Sequence, residues 1–266
     1  MLYFVATPIG NLKDVSARAI EVLGSVDEIA CEDTRHSLTL LNRLGIKKPL
    51  FAYHKFNERA AAEMITEKLK AGKNIAVISD AGTPLISDPG KTLVDMLKEN
   101  NLEYTVIPGA CALINALVLS GLDCSKFTFL GFLPEKSGER KRFLEKYKSI
   151  DTTLAFYCAP HDLKKVISTL YEVLGDRKAV AVKEITKLHE TVEEFRLKDG
   201  ISSEPKGEYV ILVEKSENNN SFLELTEEEH IKAYIASGMD KKEALKAVAK
   251  ERKVSKSSLY KYTVNE

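Results

Sequence analysis

Short β-branched runs alternate with longer amphipathic stretches along this chain, and that rhythm restricts its fold more than any other feature. LYFVAT leads to SARAIEVLGS, DEIAC to RHSLTLLNRLG, PLFAY to NERAAAEMITEKLKAG, NIAVIS to KTLVDMLKEN and EYTVI to ACALINALVLSG. A near-continuous apolar run of four to six residues suits a buried strand, whereas a 3.6-residue period suits a helix. Each pair therefore predicts a strand with a helical crossover. Strands joined in this way lie parallel, so about five of them before residue 130 predict an α/β lobe.

FTFLGF at 127–132 and the charged stretch PEKSGERKRFLEKYK interrupt the rhythm before TLAFYCA restarts it, which puts a lobe boundary within 121–134. VISTLYEVLG then reads as a helix, and AVAVKEI, TVEEFRL and EYVILVE as strands, the last of them free to pair antiparallel. KSENNNS has nothing to bury and reads as a linker. The expected division is an N-terminal α/β lobe over 1–121, a second α/β lobe over 122–215, a linker over 216–224 and a helical tail over 225–266. In the tail, Asp240 and Glu243 stand at cap spacing before a stripe of Ala244, Leu245, Val248 and Ala249. Ser255 is placed to cap a last short helix carrying Leu259 and Tyr260, which completes a helix-turn-helix outline.

Lysine plus arginine and aspartate plus glutamate each number 39, so net charge gives no reason to expect a polyanionic partner. Any such surface must come from local segregation, and residues 241–261 supply it, with eight basic side chains against Glu243 and Glu251. The four cysteines are scattered without a C-x-x-C pair, so neither a metal site nor a disulfide is expected. No apolar window reaches membrane-spanning length, and Leu2–Ala6 lacks a basic flank and stops at Thr7-Pro8. The start of the chain thus reads as a strand, and the expected location is the cytoplasm.

Three strand-to-helix junctions carry the residues suited to ligand binding, because open α/β sheets bind at the carboxyl ends of their strands. Ala6-Thr7-Pro8-Ile9-Gly10-Asn11-Leu12 lacks the G-x-G-x-x-G of a dinucleotide site. Ser79 to Gly90 holds two prolines, glycines for close backbone approach, and Asp80 and Asp88. It has no lysine and no phosphate-loop motif, so its aspartates favour hydroxyls or a small cation over a nucleoside triphosphate. Pro108 to Ala112 is built of small residues that leave room for a planar ring. Each loop alone also reads as an ordinary turn or cap, but three on one sheet edge predict a cleft. Glu32-Asp33-Thr34-Arg35-His36, His54-Lys55 and the run Lys183 to Glu190 add ionisable groups near strand ends; each reads equally well as a helix cap or a solvated face.

In order along the chain, VATPIGNLKDVSARA, CEDTRHS, SDAGTPLISDPG, VIPGACAL, FLGFLPEK and KEITKLHE resemble the tetrapyrrole methylase superfamily, and within it the branch acting on small-subunit ribosomal RNA. The resemblance covers residues 2 to about 214, and the tail is similar to that branch's helical appendage. It implies a class III methyltransferase: two α/β lobes, a homodimer, and S-adenosylmethionine in the cleft between lobes. The implied substrate is the ribose 2′-hydroxyl of a cytidine near the decoding centre of 16S rRNA, free or in the assembled small subunit. Carried over by motif, the cofactor contacts are Pro8, Asp80, Ala81, Gly82, Thr83, Ile86, Cys111, Ala112, Cys158, Thr186 and Gly207. Asp33 and Arg35 are the expected contacts to the reacting ribose. Lys136 and Arg140, with Lys250, Arg252, Lys256 and Lys261 of the tail, are the expected RNA contacts. Many tetrapyrrole-modifying relatives have Gly-Asp-Pro where this chain has Gly82-Thr83-Pro84, which weakens a tetrapyrrole substrate. A tetrapyrrole C-methyltransferase and a noncatalytic nucleic-acid-binding module are the alternatives.

Overall fold

The computed structural model describes residues 1–202, 204–216, 225–236 and 239–263, so positions 217–224 of the expected linker lie outside the described residues. The chain forms two compact units, Met1–Lys146 with Thr152–Glu214, and Tyr147–Asp151 with Lys215–Glu266.

In the first unit, strands β1 (Leu2–Val5), β2 (Glu28–Cys31), β3 (Leu50–Ala52), β4 (Ile75–Ile78) and β5 (Tyr104–Ile107) form a sheet of order β3-β2-β4-β1-β5. Every pairing in it is parallel. Between them run helices α1 (Ala17–Ser25), α2 (Thr34–Arg43), α3 (Glu58–Lys70) and α4 (Lys91–Glu99), with α5 (Ala112–Ser120) after β5. All four residues of β4 are buried, as a parallel strand covered on both faces requires. Alternate residues of β1 serve the two faces. Leu2 and Phe4 pack with Ile65 of α3 and Leu93 of α4, while Val5 packs with Leu23 of α1 and Leu41 of α2. Local chemistry sets the helix starts: the Ser16 hydroxyl accepts the Ala19 N–H at 3.1 Å, and Asp33 caps α2.

The second sheet has the order β6-β7-β10-β8-β9, from β6 (Phe127–Phe132), β7 (Thr153–Cys158), β8 (Lys178–Lys183), β9 (Thr191–Arg196) and β10 (Tyr209–Val213). Helix α6 (Ser137–Glu145) joins the parallel pair β6 and β7, and α7 (Leu163–Leu174) follows β7. The remaining pairs are antiparallel. Helix α5, which by sequence closes the first lobe, lays Leu113, Ala116 and Leu117 on Val180, Val182, Val210 and Leu212 of the second sheet. That packing locks the two sheets into one unit.

The second unit holds α8 (Glu227–Ala236), α9 (Lys241–Arg252) and α10 (Lys256–Leu259). Thr226 and Glu229 cap α8 reciprocally: the hydroxyl accepts the Glu229 N–H and the carboxylate accepts the Thr226 N–H. The Asp240 carboxylate accepts the Lys242 and Glu243 N–H groups, and the Ser255 hydroxyl accepts that of Ser258. Ile231, Tyr234, Ala244, Leu245, Val248 and Leu259 form its core. No helix among the described residues is long and apolar enough to cross a membrane.

Candidate functional site

Strand order brings the three junction loops together: β4, β1 and β5 are neighbours, so the loops that leave their carboxyl ends stand side by side. The first two are tied by a two-residue bridge. Thr7 N–H donates to the Gly82 carbonyl at 2.9 Å, and Gly82 N–H donates to that of Thr7 at 3.1 Å. The Thr7 hydroxyl adds a buried bond to the Ser79 carbonyl at 3.2 Å. Within the second loop Gly82, Leu85 and Ser87 have φ of 82°, 74° and 70°. Two non-glycine residues there adopt the left-handed region, a strain seen where surrounding structure enforces a functional shape. The Glu58 carboxylate fixes the far end by accepting the N–H groups of Gly90 and Thr92.

A cavity of about 430 Å³ opens beside these loops. Ile9, Asp80–Thr83, Ile86, Asp88, Cys111 and Ala112 line it from the first sheet's side, and Phe132, Tyr157–Pro160, Ile185, Lys187 and Glu208–Val210 from the second's. Its apolar part has an aromatic wall, with the Phe132 and Tyr157 rings 5.5 Å apart. Its other part gathers Glu32, Asp80 and Asp88. Burial, then the charge of Glu32, pushes the Asp88 carboxyl up to about 6, and burial followed by Asp80 raises Glu32 as well. A cavity lined by both aromatic rings and carboxylates suits a ligand with a planar group and a positive charge.

The raised Asp88 sets a pH-dependent stability. Its carboxyl is harder to ionise in the folded chain than at its ordinary 3.8, so ionisation destabilises the fold as pH rises through 4 to 6 and the cost persists above. Linkage limits that cost to about 3 kcal/mol, less what solvent reaching the group screens. Asp88→Asn is therefore expected to melt a few degrees higher than the native chain at pH 7.5, the gap narrowing as pH falls towards 4. Thermal melts at several pH values check this; a variant less stable at pH 7.5 would contradict it.

A second cavity of about 510 Å³ adjoins the first, sharing Ile9, Asp80, Ala81, Lys187 and Glu208 as a common wall. Its other side is basic and polar, with Arg43, His36 and Thr39 of α2 beside Pro8, Gly10 and Leu12. Lys187 reaches across from the second sheet. Its ammonium sits 3.0 Å from Glu184 and 2.9 Å from Glu208, and its stem occupies the space a Cβ on Gly10 would need, 2.5 Å from such an atom. Burial works against that charge, but the two glutamates outweigh it and hold the ammonium above its ordinary range.

Of the residues singled out by sequence, Asp80, Ala81, Gly82, Thr83, Ile86, Cys111, Ala112 and Cys158 line the first cavity, and Pro8 the second. Thr186 and Gly207 are outside both linings, though Ile185, Lys187 and Glu208 beside them are within. Asp33 and Arg35 line neither cavity. Asp33 is the cap of α2, its carboxyl lowered first by the Arg35 N–H, while its own N–H donates to Asp80 at 3.4 Å. Arg35 has a side chain 92% exposed. The expectation for Arg140 is overturned by burial: it is 4% exposed and donates to the Thr169 hydroxyl at 3.2 Å, so it has no access to a phosphate. Arg252 likewise turns inward, donating to His230 Nδ1 at 3.0 Å. Lys136 and Lys261 are solvent-facing, with Glu139 and Glu227 near by. Arg43, Tyr157 and Phe132 had no local signal in the sequence, since only the fold carries them to the cavities.

A family model described as Tetrapyrrole (Corrin/Porphyrin) Methylases matches residues 1–199. The chain is 45% identical to the ribosomal RNA small subunit methyltransferase I of Haemophilus influenzae, an alignment that covers 98% of this chain and 95% of that protein. It is 41% identical to the Bacillus subtilis protein of the same name, over 98% and 92% of the two chains. Among solved structures it is similar to diphthine synthase, with a TM-score of 0.66 and 16% identity over 81% of this chain and 90% of that one. That last likeness concerns the fold alone.

Proposed function

Since the chain belongs to the tetrapyrrole methylase family and to its ribosomal RNA small subunit methyltransferase I branch, we propose that it methylates the ribose 2′-hydroxyl of a cytidine near the decoding centre of 16S rRNA. S-adenosylmethionine is the methyl donor. The observation that carries the reading is the pair of cavities sharing one wall, the first holding carboxylates and aromatic rings, the second lined on its far side by Arg43 and His36, which suits a cationic donor beside a phosphate-bearing acceptor.

The residues present fit the cofactor. Gly82 keeps the cavity wall free of a side chain, and the buried Thr186 hydroxyl, between two lining residues, has no hydrogen-bond partner in the protein. Asp80 to Thr83, Ile86, Cys111, Ala112 and Cys158 would hold it in the first cavity, with Thr186 and Gly207 next in the chain to the lining residues Ile185, Lys187 and Glu208 and Pro8 in the adjoining cavity. When bound, the sulfonium supplies an activated methyl group with an excellent leaving group. The chain's own task is then to align the acceptor and relieve its hydroxyl of a proton. Arg43, His36 and Lys187 present donors to a nucleotide's phosphate and sugar from the second cavity. Asp80, on the shared wall, offers the carboxylate that faces both ligands.

Asp33 and Arg35 belong to the substrate side of this arrangement. Asp33 holds the start of α2 and donates to Asp80, and Arg35 extends from the same turn towards solvent. Asp33→Ala is expected to slow methylation of small subunits roughly tenfold by loosening Asp80. Arg35→Ala is expected to raise KM severalfold at unchanged kcat, as loss of an exposed phosphate contact does. Steady-state kinetics on the folded variants decide both, and normal kinetics would remove the pair from the site.

The exposed Lys242, Lys246 and Lys250 recur every fourth residue along α9, one line of positive charge suited to RNA phosphates, with Lys256 in the next helix. Ile114, Val118 and Leu119 leave an exposed apolar stripe on α5, suited to the contact between two copies of the chain as a homodimer in the cytoplasm. The reading is tested by incubating the protein with labelled S-adenosylmethionine and either unmethylated small subunits or a porphyrinoid. Label in the RNA is expected; label only in the porphyrinoid would overturn the proposal.

A further inference from the structure

Resting on RNA as the substrate, we propose that Phe56 is a stacking platform for an unpaired base beside the nucleotide being methylated. Phe56 is 95% exposed, although burying a phenylalanine ring is favourable by roughly 1.5–3 kcal/mol. It stands on the loop after β3, the outermost strand on that side of the sheet, at the same carboxyl edge that carries the cavities.

The loop is fixed. The Asn57 side chain accepts the His54 N–H at 2.8 Å and donates to the Ala52 carbonyl at 3.0 Å, and Asn57 N–H donates to the His54 carbonyl at 3.0 Å. The Phe56 ring meets the His54 ring edge-on at 6.1 Å. The loop leaves β3 beside the site wall: Tyr53 N–H donates to the Cys31 carbonyl at 2.8 Å, and Glu32, the next residue after Cys31, lines the first cavity.

The setting favours RNA over a protein partner. Lys55 is exposed beside Phe56, and Arg59, one turn on, has a side chain 84% exposed with Glu63 at 3.3 Å. The nearest acid, Glu58 at the start of α3, is engaged in accepting the Gly90 and Thr92 N–H groups. One preformed aromatic ring among cations is how proteins hold single-stranded bases, since every base has a face to stack and every linkage a charge.

The sequence has no tryptophan, so Phe56→Trp makes a protein whose one indole reports on this position. Its fluorescence is expected to be quenched by a short single-stranded RNA of mixed sequence, and not by an abasic oligomer of equal length that binds through phosphates alone. Phe56→Ala is expected to raise KM for small subunits ~10-fold with little change in kcat and unchanged S-adenosylmethionine affinity. Phe56→Tyr should restore KM. No quenching at RNA concentrations where anisotropy shows binding, or equal quenching by the abasic oligomer, would overturn the proposal. A KM defect on subunits without quenching by RNA would assign Phe56 to a ribosomal protein and overturn it equally. If the native chain methylates no RNA at all, the failure belongs to the reading of the substrate, and any stacking measured by fluorescence would stand apart from it.

Discussion

Gly82→Val is expected to leave a folded chain whose binding of S-adenosylmethionine is weakened at least ~100-fold. At φ of 82°, Gly82 lies in the left-handed region, which a β-branched residue occupies only at a cost of roughly 1–3 kcal/mol. The residue has little freedom to escape, because its N–H and carbonyl are both bonded to Thr7. A Cβ alone would sit 3.4 Å from Ile9 and 3.9 Å from the Ala110 carbonyl, an ordinary fit, so alanine strains the backbone without filling the cavity. The two methyl groups of valine must go further, into Ile9 or into the cavity. Calorimetric titration is expected to give at least ~100-fold weaker binding for valine and a smaller loss, near tenfold, for alanine. Native affinity in a folded Gly82→Val protein would remove this loop from the cofactor site.

Replacing Lys242, Lys246 and Lys250 together by glutamine is expected to weaken binding to small-subunit RNA about a hundredfold at 0.1 M salt. The three stand one turn apart along α9 and are exposed, while Arg252 and His230 are committed inside the second unit. Each lysine that neutralises a phosphate releases counterions, so losing three should flatten the slope of log K against log salt by about two. Cofactor affinity should be unchanged, because none of the three lines either cavity. Filter binding across a salt series separates this from a basic face that serves solubility alone, for which both affinity and slope would stay as they are.

The fold was legible because the signals that set it are local. β4 reads IAVI and is buried at every position, and Asp240 and Ser255 cap the helices their spacing announces. The last strands of the second sheet, which the sequence leaves free to pair antiparallel, do so. Strand order was not readable, and strand order makes the site: only the adjacency of β4, β1 and β5 turns three unremarkable junctions into one cavity. The packing of α5 was not readable for a similar reason. Its strongly apolar sequence says that it is buried but not on which sheet, and it packs on the second.

The site shows the same division between local and distant causes. Gly10 reads as a turn glycine, yet the space at its α-carbon is taken by the stem of Lys187 from the other sheet. Arg140 and Arg252 look in sequence like members of basic clusters, and each instead hydrogen-bonds inside its own unit. Charge runs disclose composition, whereas exposure is decided by which helix face the core takes. Asp33 had two readings in sequence, as cap and as substrate contact, and its carboxylate does accept the N–H groups of the first turn of α2.

On the proposed reading, the methyl group goes to a cytidine 2′-oxygen of small-subunit rRNA. The most direct measurement takes small subunits from cells lacking this protein and incubates them with the purified chain and S-adenosylmethionine. The RNA is then digested to nucleosides, which are separated by mass and retention. A single new product, 2′-O-methylcytidine, is expected, absent without enzyme and absent with Gly82→Val. A methyl group on a base, on another nucleoside's ribose, or nowhere in the RNA would contradict it.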